Sequence, residues 1–405
     1  MAEVSKPHTP ILDRMLPLPP PAQRSSGSWV ITTAAICLGV VIGFLAAIGR
    51  LPYFPAVDRF LEREFPQLFT GRVDAGGPAA LFLALFLGFV GSTAIHEAGH
   101  LLAGLLAGFR FSSLRIGPLQ FEQPFRVSIH RGGRTGAAGW TRMFPGGSHR
   151  LAQKAFLMTA GGPAASLLAA FVVFLLPFPK GYFLFWLSAS SLLLGVINLI
   201  PFRSGALLSD GWRILMLLQN RERAERWLSL IKLGLEVREG VPPERLSQEF
   251  LRKALVVKDN TPDTVTAYAF AYASAFARHD DSKAAEYLET CLQYSAFGSP
   301  FMQQALMSDA GVFQARRRGR VDLAEQWLAS MPAKTEIPWS RTRVEAAILE
   351  AKGDVQGAIR KLEEAERLIL AAPNQTLRES AHRSLLRWKS ELQPVLSEGA
   401  DGPPE

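Results

Sequence analysis

The sequence predicts an all-α protein: a polytopic bundle of membrane helices with about four spans, the last broken, followed by a soluble α-helical repeat domain. Three observations predict it. Of the 405 residues 48% are apolar, and they gather in long runs across 29–218, while 219–405 has the charge content of an ordinary soluble sequence. Several of these runs approach the roughly 20 residues that the hydrocarbon core of a bilayer requires. In the second half, helical turns recur at spacings of about 40 and 34 residues, the mark of stacked helix pairs.

Residues 1–28 are rich in Pro and Ser and read as a disordered tail. The run 29–48 is long for the core of a cleavable signal peptide and is expected to be a signal anchor. After a charge-balanced connection, the second span covers about 79–106, where Gly104 and Gly108 form a GxxxG step suited to close helix approach. The segment 107–154 carries eight Lys/Arg against one acid, with weak strand character at 111–116 and 125–129. A third span, about 155–176, opens on Gly161-Gly162-Pro163, where the backbone is expected to loosen or kink. The fourth, 182–200, ends near Asn198 and Pro201, and an apolar run resumes at 206–218 around Ser209-Asp210-Gly211.

The net charge of +8 is concentrated in the 107–154 loop, so it reads as a topology signal rather than a nucleic-acid footprint. With that loop cytoplasmic, alternating spans put the N-terminal tail and the C-terminal domain on the cytoplasmic side too. Trp140 and Phe144 in the loop are placed to anchor it at the headgroups, and no nucleic-acid partner is expected. Cys37 and Cys291 imply no disulfide framework.

The soluble domain is expected over 219–395, with a disordered tail at 396–405. Its three turns, Arg278-His279-Asp280-Asp281, Arg318-Gly319-Arg320 and Lys352-Gly353-Asp354, each precede an Ala and a Leu four apart: Ala284/Leu288, Ala324/Leu328, Ala358/Leu362. The second spacing matches the tetratricopeptide period, and such stacks present grooves for protein partners. A plain helical bundle is the alternative.

The chemistry lies in the second span. His96-Glu97-Ala98-Gly99-His100 is a His-Glu-x-x-His motif, and residues four apart share a helix face. His96 and His100 can then hold one metal ion, zinc by ligand type, with Glu97 as general base toward a bound water. Ionisable groups in a membrane helix are costly unless they line a protected cavity. Catalytic zinc takes three protein ligands, and Asp210 is the candidate for the third; an N-cap role at the helix that follows is its alternative. The substrate bond must be in an extended peptide, and an edge in 107–154 can hold one by strand addition. His130 and His149 read as surface residues, as do His8, His279 and His382.

Together these residues resemble the site-2 protease family of intramembrane zinc metalloproteases, over about residues 79–218. The resemblance rests on His96–His100 within a span, on Ala160-Gly161-Gly162-Pro163, and on Asn198-Leu199-Ile200-Pro201 followed by Asp210-Gly211. It implies a three-helix catalytic core, within a membrane-embedded metalloprotease domain placed at 29–218, with Zn2+ on His96, His100 and Asp210 and Glu97 as base. It further implies that Asn198 helps polarise the scissile carbonyl, and that the substrates are single-span membrane proteins. The chain departs from the pattern in having Ser166 where an Asn is usual, in a longer interval from Asn198 to Asp210, and in lacking a PDZ-like domain. Two other functions remain: a membrane-anchored zinc protease acting on soluble or misfolded segments, and an inactive membrane scaffold binding partners through its helical repeats.

Overall fold

The structure, a computed structural model, describes residues 10–14, 59, 63, 77–122, 126–129, 139–147, 149–176, 181–204, 207–219, 221–333, 335–372 and 375–400. The expected span at 29–48 lies outside them, as do residues 401–405 of the tail expected at 396–405; residues 396–400 of that tail are instead the end of a helix, Gln375–Ala400. The described chain is mostly helical and divides into two compact units, 24–224 and 1–23 with 225–405.

In the first of these units three helices are long and apolar enough to cross a membrane. They are α2 (Gly77–Leu106), α3 (Leu151–Leu175) and α4 (Tyr182–Leu199), after a single helical turn, α1 (Ile11–Arg14), that belongs to the other unit. At 1.5 Å per residue the 25-residue α3 is about 37 Å long, enough to span with some tilt. Their polarity is inside out. Phe82, Phe86, Leu102, Leu168, Phe171 and Phe174 are exposed, whereas Ser92, Thr93, Ser166 and Ser191 are buried between helices. An apolar exterior of this extent fits lipid rather than water.

Glycines set the helix spacing. A Cβ on Gly99 would overlap the Gly161 carbonyl, and one on Gly161 would overlap Ala103, so α2 and α3 cross in backbone contact. The expected loosening at Gly161-Gly162-Pro163 is corrected accordingly: α3 runs helical through Pro163, and its glycines serve close packing. Gly88 meets α4 at Trp186, where a Cβ would lie 2.8 Å from the Trp186 Cβ.

The all-α expectation also needs correction. Between α2 and α3 the chain forms a four-stranded antiparallel sheet in the order β3-β2-β1-β4. Its strands are β1 (Phe109–Ile116), β2 (Leu119–Glu122), β3 (Arg126–Ile129) and β4 (Gly139–Pro145). The alternation at 111–116 and 125–129 signalled two of these strands, and β4 carried no such pattern. Phe109 and Met143 bury one face of the sheet, with Met143 against Gly104 of α2.

After α4 a two-residue hairpin, β5 (Arg203–Ser204) with β6 (Leu207–Leu208), leads into α5 (Asp210–Gln219) and then α6 (Arg221–Arg238). At ten residues α5 is too short to cross a membrane.

The second unit is helical. After α7 (Gln248–Leu255) come three helix pairs: α8 (Pro262–Ala277) with α9 (Asp281–Gln293), α10 (Pro300–Arg318) with α11 (Val321–Ser330), and α12 (Ser340–Ala351) with α13 (Val355–Leu370). A long α14 (Gln375–Ala400) closes the series. Each pair turns at the place the spacing predicts, and the same turn position has positive φ in all three: His279 at 59°, Gly319 at 63° and Gly353 at 84°. A left-handed residue ends a helix by turning the chain back, which favours glycine, so His279 takes that conformation at some cost. Ala284, Leu288, Ala324, Ala358 and Leu362 are fully buried between helices. Arg226, 2% exposed, ties the start of this unit together by pairing with Asp259 at 2.7 Å and Asp263 at 3.5 Å. Cys291 is buried, and burial pushes its thiol well above the ordinary range.

Candidate metal centre

Helix α2 presents His96, Glu97 and His100 to the interior of the bundle, 5% and 6% exposed for the first two. The start of α5 brings Asp210, 7% exposed, to the same point. Asp210 Oδ2 lies 3.2 Å from His96 Nε2 and 3.2 Å from His100 Nε2, and one ligand atom from each residue falls within 4.8 Å of the others. In a tetrahedral zinc site with bonds of about 2.0–2.1 Å, ligand atoms lie about 3.3–3.4 Å apart, so the spacing suits such an ion.

Both imidazoles are held from behind. Met158 O accepts a hydrogen bond from His100 Nδ1 at 2.8 Å, and Ser166 Oγ lies 3.0 Å from His96 Nδ1. A carbonyl only accepts, so His100 Nδ1 carries a proton. When the ring is neutral its Nε2 lone pair faces the Asp210 carboxylate, and two lone pairs at that distance repel unless a cation, a proton or a metal ion, lies between them. With a second imidazole on the same carboxylate oxygen, a single metal ion satisfies all three groups. The His–carbonyl and His–hydroxyl contacts are the supports that metal-binding histidines use. Ser166, which departs from the resembled pattern, thus has a place beside His96.

Ser209 answers the N-cap alternative for Asp210. Its Oγ accepts from Trp212 N at 3.1 Å, capping α5, and from Phe202 N at 3.0 Å while donating to Ile200 O at 2.8 Å. Asp210 is left free to face the histidines. The hairpin β5–β6 lies between Asn198 and Asp210, and Ser209 N returns to Phe202 O at 3.2 Å. Gly211 completes the fit, since a Cβ there would overlap the Leu199 carbonyl at the end of α4.

Glu97 points from the same helix turn toward β4. Thr141 donates to its Oε2 at 2.6 Å and lies 3.1 Å from its backbone carbonyl. Gly139 on the same strand leaves room for the carboxylate, because a Cβ there would lie 2.8 Å from Oε1. Gly162 does the same for His100, whose ring a Cβ would overlap. Asn198 is the one sequence candidate not drawn into this cluster: its amide donates to Leu194 O at 2.9 Å, one turn back on α4. Sequence reasoning missed Thr141 and Gly139 on β4, Met158 on α3 and Ser209 just before α5, which contact the site without a local motif.

No protein-family model matches this chain, and neither a curated protein nor a solved structure matches it.

Proposed function

We propose that this chain is an intramembrane zinc endopeptidase that hydrolyses peptide bonds in or near transmembrane segments of membrane proteins. The observation that carries the reading is the convergence of His96, His100 and Asp210 beside Glu97, within three membrane-length helices. When bound, zinc supplies Lewis-acid polarisation of a carbonyl and a water made acidic enough to lose its proton near neutrality.

The chain's own groups do the rest. Glu97 takes the proton of the attacking water and passes it to the leaving amine, with Thr141 holding the carboxylate in place. β4 is an edge strand of the sheet among the described residues, and it carries both Thr141 and Gly139 against Glu97. An extended substrate paired to that edge exposes its carbonyls, which a helix keeps hydrogen-bonded, so strand addition supplies both docking and unwinding. Asp210 as the third metal ligand favours this reading over a membrane-anchored protease that draws a glutamate from a separate helix. Asn198 is proposed for the substrate carbonyl only if its amide turns away from Leu194. Cleavage of a single-span protein by the purified chain, and its loss on zinc chelation, test the proposal.

The helix pairs, with their repeated turn and buried Ala/Leu positions, are proposed to be tetratricopeptide-like. The topology is proposed from parity. α1 packs on the C-terminal unit, and residues 11–14 and that unit are proposed to share one side of the membrane. An even number of crossings then follows, and the four-span expectation from the sequence meets it where the three described helices alone do not. With the basic 107–154 loop, both termini are then cytoplasmic. Cysteines introduced by Ser5→Cys and Ser397→Cys, in a Cys37→Ser background, are expected to react with an impermeant maleimide from the same face of sealed, oriented vesicles. Labelling from opposite faces contradicts the four-span arrangement.

A further inference from the structure

The turn α1 has no fold of its own, because four residues cannot sustain a helix in water. Its shape is imposed by side chains from α9, α10 and α11. Glu289 accepts from the backbone N–H of Ile11 at 2.9 Å and of Leu12 at 3.0 Å, one carboxylate oxygen each. The Leu12 carbonyl accepts from Gln314 Nε2 at 2.8 Å and from Trp327 Nε1 at 3.4 Å. Asp13 pairs with Arg318 at 2.5 Å and also accepts from Gln314 at 3.1 Å. The Leu12 side chain, 1% exposed, fills a pocket that includes Leu288 and Phe313.

These contacts differ from ordinary packing of one core element on another. Both free N–H groups and the carbonyl of a short segment are met by charged or polar side chains, Gln314 and Trp327 among them being fully buried, while one pocket reads a leucine and one arginine reads the acid after it. Backbone capture with one apolar anchor and one charge pair is how peptide receptors hold short motifs. Gln314, at 0% exposure, keeps its Oε1 without a partner among the described residues while its amide serves the segment. A buried amide half spent on a four-residue segment marks a site shaped for that segment.

We propose that α9, α10 and α11 form a peptide-binding site for an Ile-Leu-Asp type segment, and that residues 11–14 are its tethered occupant. A partner protein presenting the same apolar, leucine, acidic sequence in a turn takes the site by displacing the tail. This does not depend on the protease reading. Because the occupant is on the same chain, its high local concentration lowers the apparent affinity of any competitor until the tail is disabled.

The test uses the full chain in detergent and a fluorescein-labelled peptide of residues 6–16, followed by anisotropy. Leu12→Asp protein is expected to bind the peptide at least about tenfold more tightly than wild type. The same peptide carrying Leu12→Asp is expected to bind neither protein. Glu289→Ala with Arg318→Ala, added to the Leu12→Asp chain, removes binding, and both receptor positions are partly exposed so that the fold tolerates the change. No binding to a Leu12→Asp protein that melts like wild type overturns the proposal, as does equal binding of a scrambled peptide. If Leu12→Asp lowers the melting temperature, wild-type protein decides the matter. Saturable uptake of peptide at high concentration, absent for the scrambled one, supports exchange, and its absence overturns it.

Discussion

Glu97→Gln is expected to abolish peptide-bond cleavage while leaving the metal in place. The amide matches the carboxylate in shape, and Thr141 can still hydrogen-bond to it, so α2 and β4 keep their contact. His96, His100 and Asp210 are untouched, and metal content is expected to stay near one ion per chain. The amide has no basicity to take a proton, and loss of a general base of this kind costs about 10²–10⁴-fold in rate. Cleavage of a single-span substrate by equal amounts of folded wild type and variant checks it. Metal analysis on the same samples separates a chemical defect from a structural one. Retained cleavage would remove Glu97 from the mechanism.

Asp210→Ala has a different signature, because it removes the proposed third ligand. Two imidazoles remain on one helix face, and the buried site loses the negative charge that balances a divalent ion. Metal content is expected to fall from near one ion per chain to a small fraction, and cleavage with it. The fold should persist, since Ser209, not Asp210, caps α5 and ties it to Ile200 and Phe202. Elemental mass spectrometry with far-UV circular dichroism on the same preparation reads both effects. Full occupancy in the variant would show that the third ligand lies elsewhere, as in a protease that borrows a glutamate from outside the bundle.

Much of this site is legible in the chain because its core is local. His96, Glu97 and His100 occupy one helix turn, and Asp210 stands out as a carboxylate in an apolar stretch. The supports are not legible. Thr141 reaches Glu97 from 44 residues away, and Met158 contributes a backbone carbonyl, for which any residue would do. The edge strand β4 has no clean alternation, since Gly139, Trp140 and Thr141 are partly buried in succession, on both faces of the strand. In the helical domain the turns and the Ala/Leu pairs were readable from spacing. The first copy lacks the glycine of the other two, because His279 occupies the left-handed position that Gly319 and Gly353 hold there. Docking of Leu12 was invisible for a related reason: a Pro-rich tail looks unstructured, and what orders residues 11–14 is a pocket made more than 270 positions later.

The reading of this chain as an intramembrane protease is tested most directly by locating the bond it breaks. Purified protein and a single-span test substrate with a helix-weakening residue in its span are placed together in lipid vesicles, and the products are weighed by mass spectrometry. The account predicts two fragments whose masses place the cut inside or at the edge of the apolar span, formed only with zinc present and not by Glu97→Gln protein. A cut confined to the water-exposed parts of the substrate, or no cut by a protein carrying a full complement of zinc, would contradict it.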